Sequence, residues 1–144
     1  MNQRLQNRLG TMLSIAILVF ATSLARAQQK PEELAQQSAG SWLVLVDADK
    51  YGESWEQAAT IFKAAITKAD WQGKVGAVRA PLGKEVSRKL KSAQFTKTLP
   101  GAPDGQYVVI QYDTSFEHKQ SAIETVVPML DKDGQWRVSG YFIR

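Results

Sequence analysis

Apolar residues recur at helical spacing from Pro31 onward: Leu34, Ala35, Ser38, Ala39, Trp42, Leu45 and Val46 share one face. Pro31 suits a first helical turn, and Glu32 and Glu33 follow at the positive end of the helix dipole. The pattern fades at 47–49, and Gly52 is expected to break it. A second stripe, Trp55, Ala58, Ala59, Phe62, Ala65, Ile66 and Ala69, predicts one helix over 54–69. Ser54 and Gln57 stand at capping-box spacing at its start. A third helix, capped by Asp70, carries Trp71, Val75 and Val78 and ends before Pro81, because the residue preceding a proline is pushed out of helical geometry. Leu82-Gly83 is then a turn.

Beyond Gly83 the rhythm changes to two. Val86, Arg88 and Leu90 alternate with Ser87, Lys89 and Lys91, predicting a strand that runs to Thr98. Residues 99–105, Leu-Pro-Gly-Ala-Pro-Asp-Gly, are dense turn chemistry. Strands are predicted over 106–116, 121–130 and 135–143, the last two joined by an Asp133-Gly134 hairpin turn. Ile123, Thr125, Val127 and Met129 share one face of the third strand, and Pro128 points to an edge or a bulge. In the fourth, Trp136, Val138, Gly140 and Phe142 share a side. Helices first and an antiparallel meander second make the fold class α+β: two to three helices packed on a four-stranded sheet, with a cup between the layers.

Residues 1–27 lie outside this pattern. Arg4 and Arg8 precede an apolar run over 11–24, and Ala25-Arg26-Ala27 supplies an A-x-A cleavage site at Ala25 and Ala27. The run is short of the roughly 20 residues a membrane-spanning helix needs. The expectation is a cleaved signal peptide over 1–27, a single domain over 28–144, a periplasmic or secreted location, and no transmembrane anchor after cleavage.

Composition and charge change the picture at three points. The chain has 144 residues, of which 44% are hydrophobic and 22% charged, enough for a sizeable core. It has no Cys, which excludes disulfides, thiolate zinc sites, cysteine nucleophiles and a lipidated N-terminal Cys. The formal charge is +4, but the leader holds Arg4, Arg8 and Arg26 and no acid, so 28–144 carries 15 basic and 14 acidic side chains. That near balance gives no reason to expect a nucleic-acid partner. Residues 74–97 alone hold 7 basic side chains against Glu85. A solvated face whose acidic flanks pair with it is favoured over a patch for an anionic partner.

Four blocks span the chain: Trp42-Leu43 with Asp47, Tyr51 and Ser54-Trp-Glu-Gln-Ala58; Arg79-Ala-Pro-Leu-Gly83; Leu99-Pro-Gly-Ala-Pro-Asp-Gly-Gln-Tyr107; and Trp136-Arg-Val-Ser-Gly-Tyr141. In these the chain resembles the DUF4019 family of small exported bacterial proteins of unknown function. The third block is the most specific. The resemblance implies an exported single-domain protein and brings no catalytic residues with it. The helix-then-meander order also resembles nuclear-transport-factor-2-like and cystatin-like α+β cones, a likeness of fold that does not set function.

No motif fixes a chemistry. The acidic stretch from Asp47 resembles a calcium loop, but Tyr51 and Ala58 stand where an oxygen ligand and a bidentate Glu are required. The glycines before Lys84 have the wrong spacing for a phosphate loop, and Glu85 follows where Ser or Thr is needed. His118 is the only histidine and reads as an exposed loop residue, so no metal and no cofactor are expected. The four Trp read as core.

The candidate site is a set of polar residues expected near the concave sheet face: Tyr51, Arg79, Arg88, Tyr107, Asp113, Glu124 and Tyr141. A buried Arg or carboxylate there needs partners, and a pair in a cup could orient a ligand. A structural bridge by Arg79 is the favoured alternative. Strand parity leaves Glu124 open, since Ile123 and Val127 oppose it while Ala122 and Val126 share its face. The leading expectation is a non-enzymatic domain that binds a small molecule, an envelope component or a protein, with Arg79 and a Tyr fixing orientation. Behind it stand an isomerase- or hydrolase-like pocket enzyme using Asp113 or Glu124, and a module that forms a homodimer through the outer sheet face.

Overall fold

The computed structural model describes residues 29–144, and 31–144 form one compact unit. The leader expected over 1–27 and its expected cleavage site at Ala25 and Ala27 lie outside the described residues. The order is four helices, α1 (Pro31–Asp47), α2 (Tyr51–Glu56), α3 (Thr60–Ala65) and α4 (Lys68–Arg79), then a 3-10 turn (Ala80–Leu82) and four strands, β1 (Glu85–Thr96), β2 (Tyr107–Phe116), β3 (Lys119–Leu130) and β4 (Trp136–Ile143). The strands form one antiparallel sheet in the order β1-β2-β3-β4. The fold is α+β, with the helices packed on one face of a meander.

The core lies between the layers. From α1 come Ala35, Ala39, Trp42, Leu43 and Val46; from the sheet come Val108, Ile110, Tyr112, Val126 and Val138. Leu43, rather than Leu45, completes the buried face of α1. Trp42, Trp71, Phe62 and Tyr141 interlock, with ring centroids 4.9–6.5 Å apart in tilted and edge-to-face arrangements. Trp42 and Trp71 are buried, while Trp55 and Trp136 pack against the core half-buried. Each buried indole finds an acceptor: Trp42 Nε1 donates to the Ser54 carbonyl (2.9 Å) and Trp71 Nε1 to the Ser54 hydroxyl (2.9 Å).

The single helix expected over 54–69 is divided among α2, α3 and the start of α4, and the reason for the first break is tertiary. The Ala59 N–H donates to the Val138 carbonyl of β4 (2.8 Å), and the Thr60 N–H donates to the Asp131 carboxylate (3.0 Å). The β3–β4 hairpin thus takes two backbone donors that a continuous helix would have used internally. Gly52 does not break a helix but sits inside α2. Ser54 is no N-cap: it is fully buried within α2, donating to the Tyr51 carbonyl. The cap of α4 is Thr67, whose hydroxyl accepts from the Asp70 N–H, so Asp70 is the capped residue rather than the cap.

Bulges reset which strand residues face the helices. In β4 the pairing steps from Val127↔Gly140 to Pro128↔Val138, leaving Ser139 as an extra residue. Val138 faces the core, but beyond the bulge Tyr141 turns in and Phe142 turns out, 63% exposed. The shared side expected for Val138 and Phe142 is therefore broken. In β1 the extra residue is Lys91, so Arg88 turns inward before it and Ala93 and Phe95 after it. In β3 the set facing the helices is Ala122, Glu124 and Val126.

Candidate functional site

Asp47 ends α1 at a point where the helix dipole is negative and no basic residue lies in the last turn. Two guanidinium groups supply the missing compensation. Arg79, from the last turn of α4, donates through Nη2 to Asp47 Oδ1 at 2.8 Å. Arg88, from β1, donates through Nη1 to Oδ2 at 2.8 Å and through Nη2 to Oδ1 at 3.0 Å. That is a bidentate pair, the geometry for which guanidinium and carboxylate are matched.

Arg88 continues inward. Its Nε donates to Glu124 Oε1 at 2.7 Å, and Glu124 is fully buried. The same oxygen accepts the Thr114 hydroxyl at 2.7 Å, and Oε2 accepts the Tyr141 hydroxyl. Tyr141 in turn accepts from Arg79 Nη1 at 3.2 Å, which closes a ring of hydrogen bonds. The Arg79 guanidinium also lies over the Phe116 ring, 5.0 Å from its centroid. Among the described residues no buried polar side-chain atom lacks a partner. Two arginines against two carboxylates make the network neutral, which is how this fold holds charge in its core.

The network fixes protonation states. Burial by itself would raise the Asp47 carboxyl, but the hydrogen bonds and charges of Arg88 and Arg79 outweigh it and hold the group below its usual value of 3.8. Burial pulls the Arg88 and Arg79 guanidinium groups downward, and their acceptors more than reverse this, so both are firmly charged. Burial and the Glu124 charge push the Tyr141 hydroxyl well above the ordinary phenol range. The phenol is therefore a fixed donor.

Beside this ring lies a cleft of about 400 Å³. Asp47 and Arg79 contribute to its floor, and Asp49, Tyr51, Lys84 and Glu117 stand around it. Gly76 of α4 lines it as well. Tyr51 donates to Asp49 Oδ1 at 2.8 Å, and burial together with that carboxylate raises its hydroxyl to about 12. Gly83 makes the cleft geometry possible. Its φ is +72°, and a Cβ there would stand 2.9 Å from Glu117 Cβ and 3.0 Å from the His118 ring.

Of the seven residues singled out from the sequence, the structure joins Arg79, Arg88, Glu124 and Tyr141 in one network and sets Tyr51 at the neighbouring cleft. The other two lie elsewhere. Tyr107 is buried, and its hydroxyl donates to the Pro103 carbonyl at 2.7 Å, pinning the 99–105 loop. Asp113 is exposed and faces Lys91 at 3.5 Å. His118 is also exposed, in the β2–β3 turn, with its backbone N–H donating to the Leu82 carbonyl. Sequence reasoning missed Asp47 and Thr114. Asp47 did leave a signal: it stands one turn after Leu43 on the buried face of α1, an acid at the wrong end of a helix. Thr114 left none beyond its strand parity.

Two of the seven basic side chains in 74–97, Arg79 and Arg88, are thus turned inward, and a third, Lys91, meets Asp113. Among the described residues no group of three His, Asp or Glu side chains is placed to hold a metal, and no helix is long and apolar enough to cross a membrane.

These features define a class: an α+β helix-on-sheet domain with a closed polar network in its core and a charged cleft at its rim. Residues 38–141 match the family described as protein of unknown function, DUF4019, and the chain belongs to that family, as its sequence blocks implied. No curated protein and no solved structure is detectably similar to it.

Proposed function

We propose that this chain is an exported, non-enzymatic binding domain that holds a small polar ligand in the rim cleft. One observation carries the reading: Arg79, an arginine that lines the cleft, is already immobilised. Arg79 is 5% exposed, fastened by Asp47, Tyr141 and Phe116, and only two of its N–H groups have acceptors among the described residues. Donors held in place before the ligand arrives spare the ordering cost of binding.

The same geometry disfavours the pocket-enzyme alternative. A general base needs a free lone pair within reach of substrate. Glu124 has both oxygens engaged and no exposure, and Asp113 stands in solvent beside Lys91. Export is supported by the basic start, the apolar run over 11–24 and the Ala25-Arg26-Ala27 site.

The binding reading is tested by native mass spectrometry of protein purified from its own host, followed by a thermal-shift screen of small polar molecules. Gly76→Leu adds bulk inside the cleft at a helical position where a Cβ makes only ordinary contact with Tyr51 (3.7 Å). It should abolish binding and leave the fold intact. Ligand binding unaffected by this variant refutes the site. N-terminal sequencing of the envelope or culture-fluid protein should begin at Gln28; an intact Met1 refutes cleavage.

A further inference from the structure

The charges around the cleft fall into two sets. At the floor and behind it, Arg79 and Arg88 are balanced by Asp47 and Glu124. The rim is not balanced internally. Lys84, just before β1, and Glu117, in the β2–β3 turn, are joined through the backbone, where the Glu117 N–H donates to the Lys84 carbonyl at 2.9 Å. Yet neither side chain enters any ion pair among the described residues. Both are exposed. Among the described residues Asp49 is engaged only by the Tyr51 hydroxyl, through one oxygen. The rim therefore offers one ammonium and two carboxylates, kept apart, around a space of about 400 Å³ with a tyrosine ring on its wall.

A purely anionic ligand would gain Lys84 and Arg79 but would face Asp47, Asp49 and Glu117. A purely cationic one would gain the carboxylates and face Lys84 and Arg79. Only a molecule with both signs, set apart along its length, meets complementary charge at each end. The cleft volume is at the small end of ligand pockets.

We propose that the cleft takes a small zwitterion of amino-acid or dipeptide size, its carboxylate on Arg79 and Lys84 and its ammonium on Asp49 and Glu117 beside the Tyr51 ring. This rests on the rim cleft being the binding site. Lys84 supplies the second cation for the carboxylate, since Arg79 and Lys84 are the basic residues that line the cleft. An ammonium over the Tyr51 face adds a cation–π contact to the two carboxylates.

The test is calorimetric titration of the exported protein with three probes: alanyl-alanine, its N-acetyl derivative, which lacks the ammonium, and its C-terminal amide, which lacks the carboxylate. The unmodified dipeptide should bind, and each blocked form should bind about tenfold more weakly or worse. Lys84→Met should weaken the dipeptide about tenfold and leave the amide unchanged. Equal affinity for all three probes overturns the proposal. So does absence of dipeptide binding when another molecule binds and is displaced by Gly76→Leu, a result that leaves the cleft reading standing. Binding of the dipeptide that is indifferent to both Lys84→Met and Gly76→Leu removes both.

Discussion

Replacing Arg88 by Met keeps most of the side chain's length and removes the group that bonds both Asp47 and Glu124 directly. Three hydrogen bonds go at once: Nε to Glu124 at 2.7 Å, and Nη1 and Nη2 to Asp47 at 2.8 and 3.0 Å. The two carboxylates then fare differently. Asp47 keeps Arg79 and is 25% exposed, so water can replace part of what it loses. Glu124 is fully buried and keeps only two hydroxyl partners, with no cation in contact. Breaking a buried pair from one side costs about 3–5 kcal/mol, because the remaining charge is stranded. That is a large share of the roughly 5–15 kcal/mol that holds a domain folded. At about 4 °C per kcal/mol for a chain of this size, the melting temperature should fall by roughly 12–20 °C. Urea unfolding followed by fluorescence suits the measurement, since Trp42 and Trp71 pack on Tyr141 beside the network. Adding Glu124→Leu to Arg88→Met removes the stranded charge and should recover about 2–3 kcal/mol, leaving the Thr114 and Tyr141 hydroxyls without their acceptor. A cost below about 1 kcal/mol for Arg88→Met would place the pair among surface ion pairs and refute the reasoning. A double variant as unstable as the two singles summed would do the same.

Three other outcomes are expected. Asp47 and Asp131 are both held below 3.8, each against burial, by arginine partners and by hydrogen bonds from Thr60 and Lys132 respectively. Their contribution is complete above about pH 4 and is lost as pH falls through the lowered native values; Asp47→Asn should flatten the acid limb of a stability–pH curve, and an unchanged limb would count against the coupling. Ser54→Ala leaves the buried Trp71 indole without its acceptor and should cost about 1–3 kcal/mol in urea, whereas a neutral result would mean that water reaches the site. Gly83→Ala forces a Cβ to within 2.9 Å of Glu117 in a backbone conformation with φ +72°, and should cost about 1–3 kcal/mol; a crystal structure with an undisturbed 82–84 turn would contradict this.

The change of hydrophobic period near Gly83 was enough to place four strands after the helices, because local side-chain alternation follows directly from backbone geometry. The observed bounds of β2, β3 and β4 lie within two residues of those read from the pattern. The 99–105 turn and the Asp133-Gly134 hairpin were legible for the same local reason, since Pro and Gly restrict or release φ in the chain itself. What failed were inferences that carried one local rule across a bulge or a tertiary hydrogen bond. Strict alternation puts Phe142 on the same side as Val138, yet the extra residue Ser139 exchanges it for Tyr141. The stripe from Trp55 to Ala69 is periodic, yet the β3–β4 hairpin splits it by taking the Ala59 and Thr60 donors.

The site divides in the same way. The sequence alone determined that no cysteine chemistry is available, that Tyr51, Arg79, Arg88, Tyr107, Asp113, Glu124 and Tyr141 are polar candidates near the sheet, and that the chain carries the blocks of its family. Only the tertiary structure decided that Arg79, Arg88, Glu124 and Tyr141 meet one another and Asp47, and that Tyr107 and Asp113 do not join them. Burial is a property of the packed whole: Asp47, Arg88 and Glu124 come from α1, β1 and β3, and nothing in their spacing along the chain encodes an ion pair until the sheet twists under the helix.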